Sequence, residues 1–94
     1  MKEVILYKAG AALAGERSLC IDRAVIKDGV FEIAVKSDKS VIELYICGEL
    51  KFRQKGSREF IFCLPECDLP AGNVLIKAQS ADEVPVSDEI TVTI

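Results

Sequence analysis

Ninety-four residues with twelve basic and fifteen acidic side chains are enough for one domain with a modest core and a net charge of −3. That balance excludes a generic binder of the nucleic-acid backbone, which carries a basic surplus on one face. Half of the residues are apolar, but Tyr7, Phe31, Tyr45, Phe52, Phe60 and Phe62 are the only aromatics, so Val, Ile and Leu must fill the core, as suits a pleated sheet.

At the amino terminus Lys2 and Glu3 follow Met1 at once, and four apolar residues precede Lys8. This is not the charged-then-apolar pattern of a Sec signal peptide. With Met1 as the native start, the chain is expected to be made in the cytoplasm. No apolar run approaches the roughly 20 residues that cross a bilayer, so membrane insertion is not expected.

The hydrophobic period is close to two throughout, and no helix-length 3.6 pattern is present. Val4 and Leu6 oppose Ile5 and Tyr7 in a short first strand. Ala9 to Gly15 is a small-residue link with room for one helical turn or none. Leu19 to Lys27 reads as a second strand ending at Asp28-Gly29, the strongest short hairpin signal. In the third, Val30 to Lys36, Phe31, Ile33 and Val35 share one face while Glu32 and Lys36 take the other. After the polar turn 37–40, Val41 to Cys47 turns Ile42, Leu44 and Ile46 inward, and Gly48-Glu49 bends it into Leu50 to Gln54. Arg58 to Leu64 carries Phe60, Phe62 and Leu64 on one face. The next strand turns Val74, Ile76 and Ala78 inward, and the last turns Ile90, Val92 and Ile94 inward. Seven or eight short strands at even spacing predict an all-β antiparallel two-sheet sandwich or barrel. There is no internal repeat or low-complexity tract, so 1–94 reads as a single domain, with 1–18 an amino-terminal strand and linker and 19–94 the sandwich body.

Four stretches in order carry a family resemblance: Ser40-Val-Ile-Glu-Leu-Tyr-Ile-Cys-Gly48, Phe60-Ile-Phe-Cys-Leu64, Leu69-Pro-Ala-Gly-Asn-Val-Leu-Ile-Lys-Ala78 and Ile90-Thr-Val-Thr-Ile94. Together they resemble a bacterial immunoglobulin-like domain and, more loosely, the fibronectin type III group, over residues 19 to 94. The resemblance implies an immunoglobulin-like sandwich acting as a spacer, adhesion module or assembly surface. Asn73 replaces the tyrosine-corner residue, and the central Trp of antibody domains is absent.

The chain has no histidine, and so lacks the commonest general base and metal ligand. It has no Gly-rich phosphate loop, G-x-S-x-G elbow or H-E-x-x-H. An enzyme is therefore not expected, nor is a cofactor. Only Cys63 and Cys67 of the four cysteines are close in sequence, while Cys20 and Cys47 stand apart, a poor fit to a zinc site built from close pairs. Free thiols acting as small apolar side chains are expected. The pairs Asp82-Glu83 and Asp88-Glu89 read as a solvated acidic loop, with loose calcium binding as the alternative.

Outward positions are not cleanly polar: Tyr45, Cys47, Ile61, Cys63 and Leu75 oppose the core-facing sets, and Val4 to Tyr7 is apolar on both sides. Either the first strand covers a sheet face or a partner does. The expected partner-binding residues are Tyr45, Ile61 and Leu75 with Val4 and Leu6. Lys51, Arg53 and Lys55 form a second candidate row, read as edge protection or as an anionic partner's surface. The expectation is a non-catalytic module acting through protein contacts, in a homo-oligomer or as an accessory subunit of a larger assembly such as a phage capsid or tail. The alternative is a carbohydrate- or ligand-binding module of a bacterial surface protein, which would place it outside the cell.

Overall fold

The computed structural model describes residues 3–8 and 18–94. Residues 9–15, read above as a short link, lie outside the described residues. The strands are β1 (Glu3–Lys8), β2 (Leu19–Lys27), β3 (Val30–Ser37), β4 (Val41–Ile46), β5 (Glu49–Lys55), β6 (Arg58–Pro65), β7 (Asn73–Ser80) and β8 (Ser87–Thr93). A 3-10 turn, Glu66–Asp68, follows β6. All pairings are antiparallel, in two four-stranded sheets ordered β1-β2-β3-β6 and β5-β4-β7-β8. The sheets pack face to face as an all-β sandwich.

Local chemistry accounts for the tightest turns. Asp28 (φ 53°) and Gly29 (φ 79°) join β2 to β3, and Cys47 (φ 51°) and Gly48 (φ 84°) join β4 to β5. Two successive positive φ values define the two-residue turn whose twist matches the flanking strands. The strand expected to run to Cys47 therefore ends one residue sooner, because the turn takes Cys47.

Alternation sets the interior. Phe31, Ile33, Val35, Ile42, Leu44, Phe60, Val74 and Ile76 are wholly buried, and Phe62, Ile46 and Val92 nearly so. Each such side chain contributes about 1.5–3 kcal/mol relative to an exposed one. Ile94 is the exception: it is 38% exposed, beyond the last residue of β8, where the opposite sheet no longer covers it. On one flank the Phe52 and Phe62 rings of edge strands β5 and β6 meet across the sheets, with centroids 5.6 Å apart. Two buried hydroxyls serve the loops. Ser37 Oγ donates to the Ser18 carbonyl and accepts from the Lys39 N–H, while Ser80 Oγ accepts the Val86 N–H at 2.9 Å.

Among the described residues, register shifts interrupt the pleat in β1, β2 and β5. The pairing steps from Ile5–Val25 to Tyr7–Ala24 insert Leu6 as an extra residue in β1. Asp22 is the extra residue in β2 and Lys51 in β5. Such bulges re-aim the side chains beyond them.

Candidate functional surfaces

The predicted contact residues do not form one patch. Ile61 lies on β6, opposite Ala34, so it faces outward from the first sheet. Tyr45 and Leu75 lie on β4 and β7 and face outward from the second sheet. The body of the sandwich separates them, because strand neighbours in sequence are divided between the two sheets. Ile61 and the pair Tyr45 and Leu75 thus lie on two separate faces.

On the second sheet, register sets Leu50, Tyr45, Lys77 and Glu89 in one row across β5, β4, β7 and β8. Leu75 stands one step along β7, and its carbonyl accepts the Cys47 N–H at 2.8 Å. Leu50 is 48% and Leu75 41% exposed, and Tyr45 is half-buried. Lys77 Nζ sits over the Tyr45 ring, 5.9 Å from its centroid, and the Tyr45 hydroxyl donates to Glu43 Oε1 at 3.4 Å. Tyr45 thus has an ammonium over its ring and a carboxylate at its hydroxyl. Tyr45, Gly48, Leu75, Lys77, Gln79 and Glu89 line an open depression here. The result is a small apolar patch with a polar rim.

On the first sheet the outward row is Ile5, Val25, Glu32 and Cys63, with Arg23, Ala34 and Ile61 beside it. Arg23 and Glu32 pair at 2.9 Å across this face. Ile5 is 57% and Ile61 36% exposed, whereas Val25 and Ala34 are buried. Val4 pairs with inward-facing Ile26, and Leu6 and Tyr7 both pack against the core, so the first strand does not alternate as simply as its sequence suggests. Leu50 is not among the residues expected at these patches, although its apolar character beside a turn was the available signal; Ile5 falls within the Val4 to Tyr7 strand read as apolar on both sides.

The basic row also divides. Arg53 and Lys55 face outward opposite Glu43 and Val41, but Lys51 is the bulged residue and pairs with Glu49 at 3.4 Å. Arg53 approaches Glu43 at 3.9 Å. With those carboxylates beside them, Lys51 and Arg53 do not form an uncompensated basic stripe with Lys55.

The acidic pairs are likewise dispersed. Asp82 pairs with Lys39 at 3.3 Å, and Asp88 Oδ2 accepts the Ile21 N–H at 2.9 Å. Among the described residues, no three Cys, Asp or Glu side chains converge as metal ligands would. None of the four cysteines is joined in a disulfide; Cys20 is buried and Cys47, Cys63 and Cys67 are exposed. No helix among the described residues is long and apolar enough to cross a membrane.

No protein-family model and no curated protein matches the chain. Among solved structures, the crystal structure of an FMN-binding beta-glucuronidase from Facaelibacterium prausnitzii L2-6 is similar to it. The likeness has a TM-score of 0.59 and 26% sequence identity, and covers 69% of this chain and 9% of that one. The chain thus corresponds to a small piece of that enzyme, and the likeness concerns a β-sandwich. The FMN binding and the glucuronidase activity are those of the larger protein.

Proposed function

We propose that the chain is a non-catalytic immunoglobulin-like module that works through protein–protein contacts, as a structural or accessory subunit of a larger assembly. The observation that carries this reading is the second sheet's outer face, where Leu50, Tyr45 and Leu75 present apolar surface inside a rim of Lys77, Gln79 and Glu89. Apolar patches with polar rims on small domains mark interaction sites. The strand order supports the immunoglobulin-like part. Taking β2, β3 and β6 as A, B and E, and β5, β4, β7 and β8 as C′, C, F and G, reproduces the neighbours of that fold. Strand β1 is then an addition beside A.

The test is Leu75→Glu. It is expected to leave folding nearly intact while removing the chain from the assembly with which the native chain co-fractionates. A variant that unfolds would place Leu75 in the core. A variant that co-fractionates as before would move the contact elsewhere, with Arg53 and Lys55 the next candidates.

The glucuronidase likeness favours a second reading, a sandwich module of a larger carbohydrate-active protein. Reproducible glycan binding by the isolated chain would support it. The half-buried Tyr45 offers little of the aromatic platform that sugar stacking uses, so silence is expected.

A further inference from the structure

The geometry points to a second copy of this chain as the partner of the free edge of β1, paired antiparallel about a two-fold axis. The inference rests on the reading of the chain as a contact module, but it concerns a different surface from the Tyr45 and Leu75 patch.

Four strands end the two sheets: β1, β6, β5 and β8. Edges in soluble proteins are guarded by charges, bulges or proline. Lys51, Arg53 and Lys55 guard β5, and Asp88 and Glu89 guard β8. Strand β6 has Arg58 and Glu59 at one end and Pro65 at the other. Strand β1, Glu-Val-Ile-Leu-Tyr-Lys, has charges only at its two ends and four apolar residues between them, with Val4 40% and Ile5 57% exposed.

The charges at its ends are reciprocal. In an antiparallel pair of two β1 strands, Glu3 can stand opposite Lys8 of the second copy while Lys8 stands opposite its Glu3. Residues directly opposite in such a pair must share a face. Positions 3 and 8 would face opposite sides in a regular strand. The extra residue Leu6 changes that: Glu3 pairs with outward Lys27 and Lys8 with outward Arg23, so both face outward. Val4 and Tyr7, paired with Ile26 and Ala24, both face inward. One register therefore matches face and charge together, with Glu3 on Lys8, Val4 on Tyr7, and Ile5 and Leu6 around the axis.

Two further features fit this register. Lys8 lies directly across from Arg23, a like-charge pair that costs stability in a single copy. A second copy would bring a carboxylate to it. Among the described residues neither Glu3 nor Lys8 is in an ion pair. An open depression lined by Val4, Ile26, Asp28, Gly29 and Glu66 lies beside Val4, the residue that this register sets opposite the second copy's Tyr7. Pairing would join the two first sheets into one continuous sheet, β6-β3-β2-β1 followed by its symmetry mate.

Six residues of pairing bury less than the roughly 800 Å² per partner of a standard interface, so a weak, concentration-dependent dimer is expected. Sedimentation equilibrium from about 10 µM to about 1 mM spans that regime. The wild-type chain should shift from monomer toward dimer, and added salt should weaken the shift. Glu3→Lys and Lys8→Glu should each raise the dissociation constant roughly tenfold, because each turns two attractive pairs into repulsive ones. The double variant, and an equimolar mixture of the two single variants, should regain wild-type association. A wild-type chain monomeric at all concentrations would overturn the proposal while leaving the Leu75 experiment, and the contact-module reading, standing. Single variants that dimerise like wild type would overturn it too, as would oligomers that keep growing, since those require β1 on the β6 edge of the next copy.

Discussion

The backbone N–H of Ile21 donates to the Asp88 carboxylate at 2.9 Å and so ties β2 of one sheet to β8 of the other. Strand β1 covers β2 only from Arg23 to Lys27, which leaves the Ile21 amide, beyond the end of β1, to another acceptor. Beyond the bulge at Asp22 this end of β2 stays paired with β3, Ile21 standing opposite Val35. Asp88 therefore closes one flank of the sandwich as the Phe52 and Phe62 rings close the other. An acidic pair that reads in sequence as a solvated loop is in part an inter-sheet tie.

Replacing Asp88 by Ala removes this acceptor and is expected to cost about 1–3 kcal/mol, the penalty of leaving a partly buried donor unmade. Asp88→Asn keeps a carboxamide oxygen and should lose less. Urea denaturation gives the magnitudes, and amide exchange at Ile21 should accelerate in the Ala variant. Unchanged exchange there would mean that the bond does not hold the flank.

The aromatic flank has its own measure. Phe62→Ala should destabilise by about 3–5 kcal/mol, since it empties a buried site, and Phe52→Ala by less because Phe52 is only half-buried. A double-mutant cycle between them should show a coupling of about 0.5–1.5 kcal/mol. Additive losses would show that the ring contact contributes nothing beyond burial.

Cys47 holds a left-handed backbone conformation in the β4–β5 turn, where a residue with a Cβ is strained unless it is Asn or Asp. Cys47→Asn makes the favoured Asn-Gly turn and should raise stability by about 0.5–1 kcal/mol. Cys47→Val should lower it. Thermal denaturation of the three proteins, ranked Asn above Cys above Val, checks the turn.

Thiol labelling separates the cysteines by burial. Three, Cys47, Cys63 and Cys67, should react at once in the native protein, and Cys20 only as fast as the fold opens. All four should react in denaturant. Prompt reaction at Cys20 would show that the start of β2 opens independently of the core.

Much of the fold is legible in local pattern. Phe31 and Ile33, Phe60 and Phe62, and Val74 and Ile76 face inward as their alternation demands, because a one-residue slip would expose a whole row. Asp28-Gly29 turns where its composition says it should, since glycine's freedom at positive φ is a property of the residue. That Tyr45, Ile61 and Leu75 point outward follows from the same two-residue period. What tertiary structure decides is where those outward positions meet. A period names a face of a strand but not the sheet that the strand joins, so Ile61 parts from Tyr45 and Leu75 across the sandwich. Nor does it show the bulges at Leu6, Asp22 and Lys51, which arise from pairing and reverse the face of every residue beyond them. Ile21 and Asp88, 67 residues apart, meet only because both sheets have formed.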